Sequence, residues 1–224
     1  MMLTKASKKA ITFACKNYHY SHSVPANYHA YNVMNDKNEW CGVIVFSFGA
    51  NNCIGKPFGL AQGECIELTR VALNGKQECT SQALAMSIKL VHKDCPCVKL
   101  IVSYADCDRA HLGTIYQATN WIYVGEHLHN SHDGSFIIHG KRYHGRNISE
   151  IVKRLGGLPQ GMSREQFIQQ RIDCNAVKYV TKGKRKYIMP LDKRTRKQFA
   201  HLAQPYPKTD ADWHKIDRNQ FKKA

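Results

Sequence analysis

Leu100–Gly125 reads LIVSYADCDRAHLGTIYQATNWIYVG, and this stretch decides the fold. Leu100, Ile101 and Val102 form a short apolar run ending at Ser103 and Tyr104, as a buried strand does. Asp106 and Asp108 follow where a helix would begin, and carboxylates are favoured there by free N–H groups and the helix dipole. Leu112, Ile115, Tyr116 and Thr119 recur at helical spacing, and Trp121–Val124 returns to β-type residues. A crossover of this length predicts two neighbouring parallel strands with ligands at their carboxyl ends. Asp106 and Tyr116 are then presented to a site, which points to an enzyme.

The pattern extends in both directions. Ser81–His92 carries Ala83, Leu84, Ile88 and Val91 on one helical stripe, and Glu64–Leu73 alternates as a strand with Ile66, Leu68 and Val71 inward. Tyr28–Met34 and Trp40–Phe48 flank the Asn35-Asp-Lys-Asn turn as an early hairpin. Residues 3–16 read as a short basic helix, followed by the polar aromatic loop Asn17-Tyr-His-Tyr-Ser-His-Ser-Val-Pro. Downstream, His127–Tyr143 predicts a hairpin turning at His132-Asp-Gly-Ser. Ile148–Leu155 and Ser163–Ile172 read as helices, the second with Ser163 and Gln166 in capping-box positions. Val177–Met189 predicts a basic hairpin turning near Gly183, and Leu191–Leu202 a last helix before a weakly ordered tail. The class is α/β: a mixed sheet flanked by helices, with a basic C-terminal extension.

A chain of 224 residues can bury a substantial core, and no stretch approaches the apolar length that spans a bilayer. The N-terminus lacks a secretory core, and nine cysteines without framework spacing fit reduced thiols, so an intracellular location is expected. Cys95-Pro-Cys97 reads as a loop. The formal charge of +16 is uneven: residues 151–224 hold 18 Lys+Arg against 6 Asp+Glu, residues 1–150 hold 15 against 11. This predicts a catalytic domain over 1–150 and a basic extension over 151–224. Solubilising lysines on a mobile tail would give the same charge. The interleaving of Lys178, Lys182, Lys184, Arg185 and Lys186 with Tyr179 and Tyr187 favours a nucleic-acid partner.

The order hairpin, strand, helix, strand, helix, strand resembles the GNAT acyltransferase core. In that family a tyrosine on the last helix serves as general acid, and Tyr116, with Asn120-Trp121 behind it, matches that position. The acyl-donor turn falls at Leu73–Gln82, without the family's glycine-rich pattern. Lys76, Thr80 and Ser81, with Arg70, are the candidates to hold coenzyme A there.

The set as a whole resembles something narrower, the Mom family of phage DNA-modification proteins. The resembling pieces are Lys16-Asn-Tyr-His-Tyr-Ser-His-Ser, Glu67-Leu-Thr-Arg70, Ser103-Tyr-Ala-Asp106, His111-Leu-Gly-Thr-Ile-Tyr-Gln-Ala-Thr-Asn-Trp121 and Lys184-Arg-Lys-Tyr-Ile-Met-Pro-Leu-Asp-Lys193. The resemblance implies a GNAT-derived enzyme that places a carbamoylmethyl group on adenine N6 in double-stranded DNA and protects phage DNA from restriction in the host cytoplasm. It also implies acetyl-CoA as a proposed donor and an iron ion at the active site. Tyr18, Arg70, Ser81 and Asp106 fall where the family's functional residues are expected.

A carbamoylmethyl product has N6 bonded to a CH2 group, which plain acid–base acyl transfer does not deliver. A redox metal on His19, His22 and Asp106 would supply the missing step, since two imidazoles and a carboxylate leave coordination positions open. Tyr18, His19, Tyr20 and His22 equally suit a polar loop packed on DNA. Asp106 also suits a helix cap, Tyr116 a core aromatic, and Arg70 an ion pair with Glu67. His127, His129 and His132 form a second histidine group in a turn, where solvent exposure is the simpler reading. Base flipping needs phosphate clamps and an aromatic pocket. Lys184, Arg185 and Lys186, then Lys193 and Arg194 with Arg196 and Lys197, are the candidates for the first; Tyr18, Tyr20 and Trp121 for the second. A conventional acetyltransferase acting on an RNA or protein amine, and a non-enzymatic DNA-binding protein, are the competing functions.

Overall fold

A computed structural model describes residues 1–26, 28–48, 53–127, 130–209 and 211–212. His129 and the tail from residue 213 lie outside the described residues. The strands are β1 (Met2–Lys5), β2 (Tyr28–Met34), β3 (Trp40–Ser47), β4 (Cys65–Leu73), β5 (Leu100–Asp106), β6 (Ile122–His127), β7 (Ser131–Ile138), β8 (Lys141–Tyr143), β9 (Val177–Thr181) and β10 (Lys184–Pro190). The helices are α1 (Lys8–Tyr18), α2 (Thr80–Asp94), α3 (Thr114–Gln117), α4 (Gly145–Arg154), α5 (Arg164–Arg171) and α6 (Lys193–Phe199). Seven strands form one mixed sheet in the order β1-β2-β3-β4-β5-β10-β6; β8-β7-β9 form a second. Among the described residues no helix is long and apolar enough to cross a membrane.

Alternation places successive residues on opposite faces of the large sheet. Val33, Ile44, Phe46, Ile66, Leu68 and Ile101 pack with Ala83, Leu84 and Val91 of α2. On the other face Val43, Val45 and Ala72 meet Ile11, Ala14 and Cys15 of α1. Farther along that face Leu100, Val102 and Ile188 meet Phe58, Phe199 and Leu202. Two layers of helix therefore cover a sheet whose central strands are buried on both sides.

The structure corrects several boundaries. Met2–Lys5 is an edge strand on β2, not the start of a helix. The helix begins only after Ser7, whose side chain accepts from the Ala10 N–H at 3.2 Å. β5 and β6 are not neighbours, because β10 lies between them antiparallel to both. The helix joining them shrinks to Thr114–Gln117, after a 3-10 turn at Cys107–Arg109. β9 and β10 do not form a hairpin: the chain passes from the small sheet into the large one at Lys182-Gly183. The β7–β8 turn falls at His139-Gly140, both with positive φ (46° and 73°), rather than at residues 132–135.

The chain does not divide at residue 150. Residues 131–181 form a unit with its own core of Phe136, Ile138, Ile148, Val152, Phe167 and Ile168. The chain then returns to build the middle of the large sheet. Charge marks a segment's composition, while strand insertion is set by contacts far apart in sequence. The helices of this unit do match expectation, down to the reciprocal capping box of Ser163 and Gln166.

Candidate active site

The site opens where β4 and β5 part. These parallel strands pair only over Cys65–Glu67 and Leu100–Val102. Beyond that, β4 carries a bulge: Val45 faces Arg70 and Phe46 faces Leu68, leaving Thr69 as the extra residue. The Thr69 hydroxyl donates to the Val45 carbonyl at 3.1 Å. A bulge bends its strand and increases the twist. The carboxyl ends of β4 and β5 thus separate around a cavity of about 530 Å³. Glu67 and Arg70 line it from β4, Tyr104 and Asp106 from β5, Lys184 from β10, and His19 and Tyr20 from the segment after α1.

Tyr116 is buried against the ring of Trp121 (5.0 Å) and the ring of Tyr187 (5.0 Å). Gly113 makes this packing possible: its φ is +76°, and a Cβ there would lie 2.5 Å from the Tyr187 ring and 2.9 Å from that of Tyr116. Ser103 Oγ lies 2.8 Å from the Tyr116 hydroxyl and 2.9 Å from the Leu68 carbonyl. A carbonyl only accepts, so both bonds are satisfied when Tyr116 donates to Ser103 and Ser103 donates to Leu68. Burial pushes the Tyr116 phenol up to about 12. At neutral pH it is a protonated phenol, with a lone pair left for a ligand.

Asp106 closes β5, and its Oδ1 accepts from the Asp108 N–H at 3.0 Å. Burial raises the Tyr20 phenol, and so does the negative charge of the nearby Asp106 carboxylate. Tyr20 stacks on His19 at 4.4 Å, meets His111 edge-on at 5.7 Å and has the Arg109 guanidinium 5.5 Å from its ring centre. Arg70 straps this segment down. Its Nε donates to the Ser23 carbonyl at 3.2 Å, and its Nη2 to Ser23 Oγ at 2.9 Å.

The two histidines differ in kind. His19 Nδ1 accepts from the Ser21 N–H at 3.1 Å, so its proton sits on Nε2. Burial lowers its pKa to about 4, with Arg70, His111 and His22 adding to the effect, and it is a neutral N–H donor at neutral pH. His22 is the reverse: its Nδ1 faces the Lys16 carbonyl at 2.6 Å and must donate, freeing Nε2. Metal-bound histidines donate from their second nitrogen. His22 has that arrangement, and His19 has the opposite one.

A family model described as the Mom protein family matches residues 1–208. The chain belongs to the Mom protein family. A methylcarbamoylase Mom from Escherichia phage Mu is 27% identical over 200 residues, covering 85% of this chain and 76% of that protein. Among solved structures, a Bacillus subtilis acetyltransferase in complex with CoA is 9% identical with a TM-score of 0.44, covering 84% of this chain and 97% of that one. The spermidine/spermine N-acetyltransferase SpeG from Vibrio cholerae is 7% identical with a TM-score of 0.45, covering 88% and 95%.

In this Mom-family chain the cleft brings together Tyr18, His19, Tyr20, Arg70, Asp106, Tyr116 and Lys184 of the expected residues. It does not gather an iron site. Among the described residues no group of three or more His, Cys, Asp or Glu side chains could hold a metal ion, and the His19 tautomer opposes ligation. The expected set His19, His22 and Asp106 does not fit the metal. Lys76, Thr80 and Ser81 do not line the cleft. They sit on the turn before α2 and in its first helical turn, where Thr80 accepts from Gln77 at 2.8 Å and Ser81 Oγ contacts Cys79 Sγ at 3.2 Å.

The expected aromatic pocket and phosphate clamp also change. Trp121 is fully buried core, not a base-stacking wall. Arg185, 1% exposed, pairs with Glu126 at 2.9 Å. Lys186 is buried with its ammonium 4.5 Å from the centre of the Phe58 ring. Neither faces a surface on which DNA could lie, because β10 is an interior strand. Lys193 and Arg194 are exposed on α6. Arg70 pairs with Ser23 rather than Glu67, and Glu67 and Tyr104, which lie within the quoted motifs but were assigned no role in a site, line the cavity. The legible sign was position: polar residues two or three places from Arg70 and Asp106 on strands otherwise apolar.

Proposed function

We propose that this protein modifies DNA, adding a carbamoylmethyl group to adenine N6 and so shielding phage DNA from restriction inside the host cell. The observation that carries this reading is the family match over residues 1–208, with a phage Mu relative named as a methylcarbamoylase. The cleft suits it. Its volume falls in the range of sites for one small ligand. Adenine N6 lies in the major groove, and full enclosure requires the base to leave the stack. Tyr20, 44% exposed and backed by His19, offers the face on which that base would rest.

In balanced form, N6 displaces a leaving group from the methylene carbon of a carbamoylmethyl donor, the leaving group departs with the bonding electrons, and N6 gives up one proton. Asp106 would take it, with Tyr20 lining the same cleft. Lys184 brings a cation into the same cleft, and the protonated Tyr116 holds its end fixed through Ser103. Acetyl-CoA, when bound, would be only a source of the two carbons. Coupling its methyl carbon to N6 removes two electrons and needs an oxidant, and the amide nitrogen needs its own donor, so that coupling is not assigned to the residues of the cleft. Lys76, Thr80 and Ser81 would hold acetyl-CoA at the start of α2, whose N-cap Cys79 makes no side-chain capping bond. No step is routed through iron. Exposed cations on β8, α4 and α6, including Lys141, Arg146, Lys153, Lys193 and Arg194, would meet the phosphates.

Mass spectrometry of nucleosides digested from the DNA of expressing cells tests the reading. A carbamoylmethyl deoxyadenosine is expected with the wild type and not with Asp106→Ala. Acetylated RNA or protein amines with unmodified DNA would instead indicate a conventional acetyltransferase. DNA binding with no product would indicate a non-catalytic role.

A further inference from the structure

The unit formed by residues 131–181 meets the active-site turn at the side chain of Asp108. Asp108 lies two residues beyond Asp106, and its side chain is 9% exposed. Its Oδ2 accepts from Arg142 Nη1 at 2.9 Å and from Thr181 Oγ1 at 3.0 Å, and its Oδ1 from the Lys182 N–H at 2.8 Å. These donors come from β8, from the end of β9 and from the link into β10. Arg142 is fixed from two other sides: Nη2 donates to Asp133 at 2.9 Å, and the guanidinium lies 3.7 Å from the centre of the Tyr179 ring. The N–H of the same Asp108 is the group that holds Asp106 Oδ1. One residue thus faces two ways, its amide toward the cleft carboxylate and its side chain toward the second unit.

We propose that Asp108 is a positioning residue, setting the orientation of Asp106 from the docked position of the 131–181 unit. The inference rests on the DNA-modifying reading for its consequence, because that unit carries the exposed cations assigned to phosphate. DNA held there would be brought into register with Asp106 through the Asp108 carboxylate. Arg142 Nη1 and the Lys182 N–H can only donate and face one oxygen each, so an amide in either orientation turns an N–H toward one of them. The carboxylate is held below its usual range by those donors, against the opposing effect of burial.

The test uses the full chain with a DNA duplex and compares the wild type with Asp108→Asn, Arg142→Lys and the double variant Asp108→Asn/Arg142→Ala. Misplacing a reacting group by about 1 Å costs up to about 100-fold. Asp108→Asn should therefore lower kcat by about 10-fold or more, with KM for DNA changed by less than about threefold. Arg142→Lys, which keeps the charge but loses the fork, should fall between it and the wild type. The double variant should lose little more than Asp108→Asn, because both changes break one connection. A wild-type kcat in Asp108→Asn, or a loss confined to KM, would overturn the proposal.

Hydrogen exchange on the same proteins reads the positioning without any turnover. Amides of residues 106–113 should exchange at least about tenfold faster in Asp108→Asn, with those of β2 and β3 unchanged. Unaltered exchange in that turn would also sink the proposal, whatever the substrate. A loosened turn in a protein that makes no modified nucleoside would retire the DNA-modifying reading and leave the role of Asp108 standing. Should Asp108→Asn fail to fold, Arg142→Lys carries both measurements.

Discussion

Lys184-Arg185-Lys186 and Lys193-Arg194-Thr195-Arg196-Lys197 have nearly the same composition and opposite fates. The first run lies on β10, between β5 and β6, where both faces of the strand are covered. Arg185 therefore points into one buried layer and Lys186 into the other, and only Lys184 reaches the cleft. The second run lies on α6, which buries Thr195 and Phe199 and sends Lys193, Arg194 and Lys197 to solvent. A basic run on a two-sided strand has nowhere to put its charges, while a helix buries a single stripe. Composition reports how much charge a segment carries. The element it joins decides whether that charge binds something or has to be neutralised.

The largest consequence falls on the buried pair. Arg185 and Glu126 are each 1% exposed at their side chains, and Arg185 also donates to the His111 carbonyl at 3.1 Å. Removing one partner leaves the other charge in the sheet. Glu126→Gln is expected to cost about 3–5 kcal/mol in denaturant unfolding. A cost below about 1 kcal/mol would mean that water reaches the pair, and the contrast between the two runs would weaken.

Lys186 should show the opposite sign. Burial lowers its amine to about 8 from an ordinary 10.5. Its folded-state pKa lies below the unfolded one, so between pH 8 and 10.5 the unfolded chain binds the extra proton and the contribution of Lys186 to stability rises with pH. Below pH 8 the penalty is fully present. Lys186→Met should then be more stable than the wild type at pH 7, by on the order of 1–3 kcal/mol, since a buried charge is replaced by an apolar chain of similar length. The gap should close as pH approaches 10.5. Unfolding curves at pH 7 and pH 10 check both statements, and a destabilised variant at pH 7 would show that the contact with Phe58 outweighs the desolvation.

Much of the sheet was legible because its signals are local. Tyr28–Met34, the strand into Leu73 and the stripe of Ala83, Leu84, Ile88 and Val91 follow from spacing alone. The insertion of β10 was not, because pairing Lys186 with Tyr104 and with Gly125 joins residues about 60 to 80 apart. In the cleft, Asp106, Tyr20 and Arg70 were legible from strand ends and motif resemblance. The tautomer of His19 was not: it is fixed by a backbone N–H two residues on, which spacing of metal ligands does not reveal. Trp121 failed for a related reason, since an aromatic beside a helix end serves a core and a base equally well until its neighbours are known.

The exposed run completes the contrast with the smallest effect on stability. Neutralising Lys193, Arg194 and Lys197 together, each to Gln, touches no buried contact and should leave stability within about 0.5 kcal/mol. Arg196 is left in place because its Nη2 donates to the Asn120 carbonyl at 2.7 Å. Charges that meet only phosphate lower affinity alike on every sequence, and each lost contact flattens the salt dependence by about one unit of slope. The triple variant should therefore bind unrelated duplexes more weakly by a common factor, with a shallower dependence on salt. Binding isotherms on two duplexes of different sequence, each at several salt concentrations, read both quantities. An unchanged salt slope would remove α6 from the proposed DNA surface and leave only the cations of β8 and α4 as candidates for the phosphates. A loss on one sequence only would mean that these side chains read bases, a task for which an exposed helix is as well suited as the buried strand β10 is unsuited.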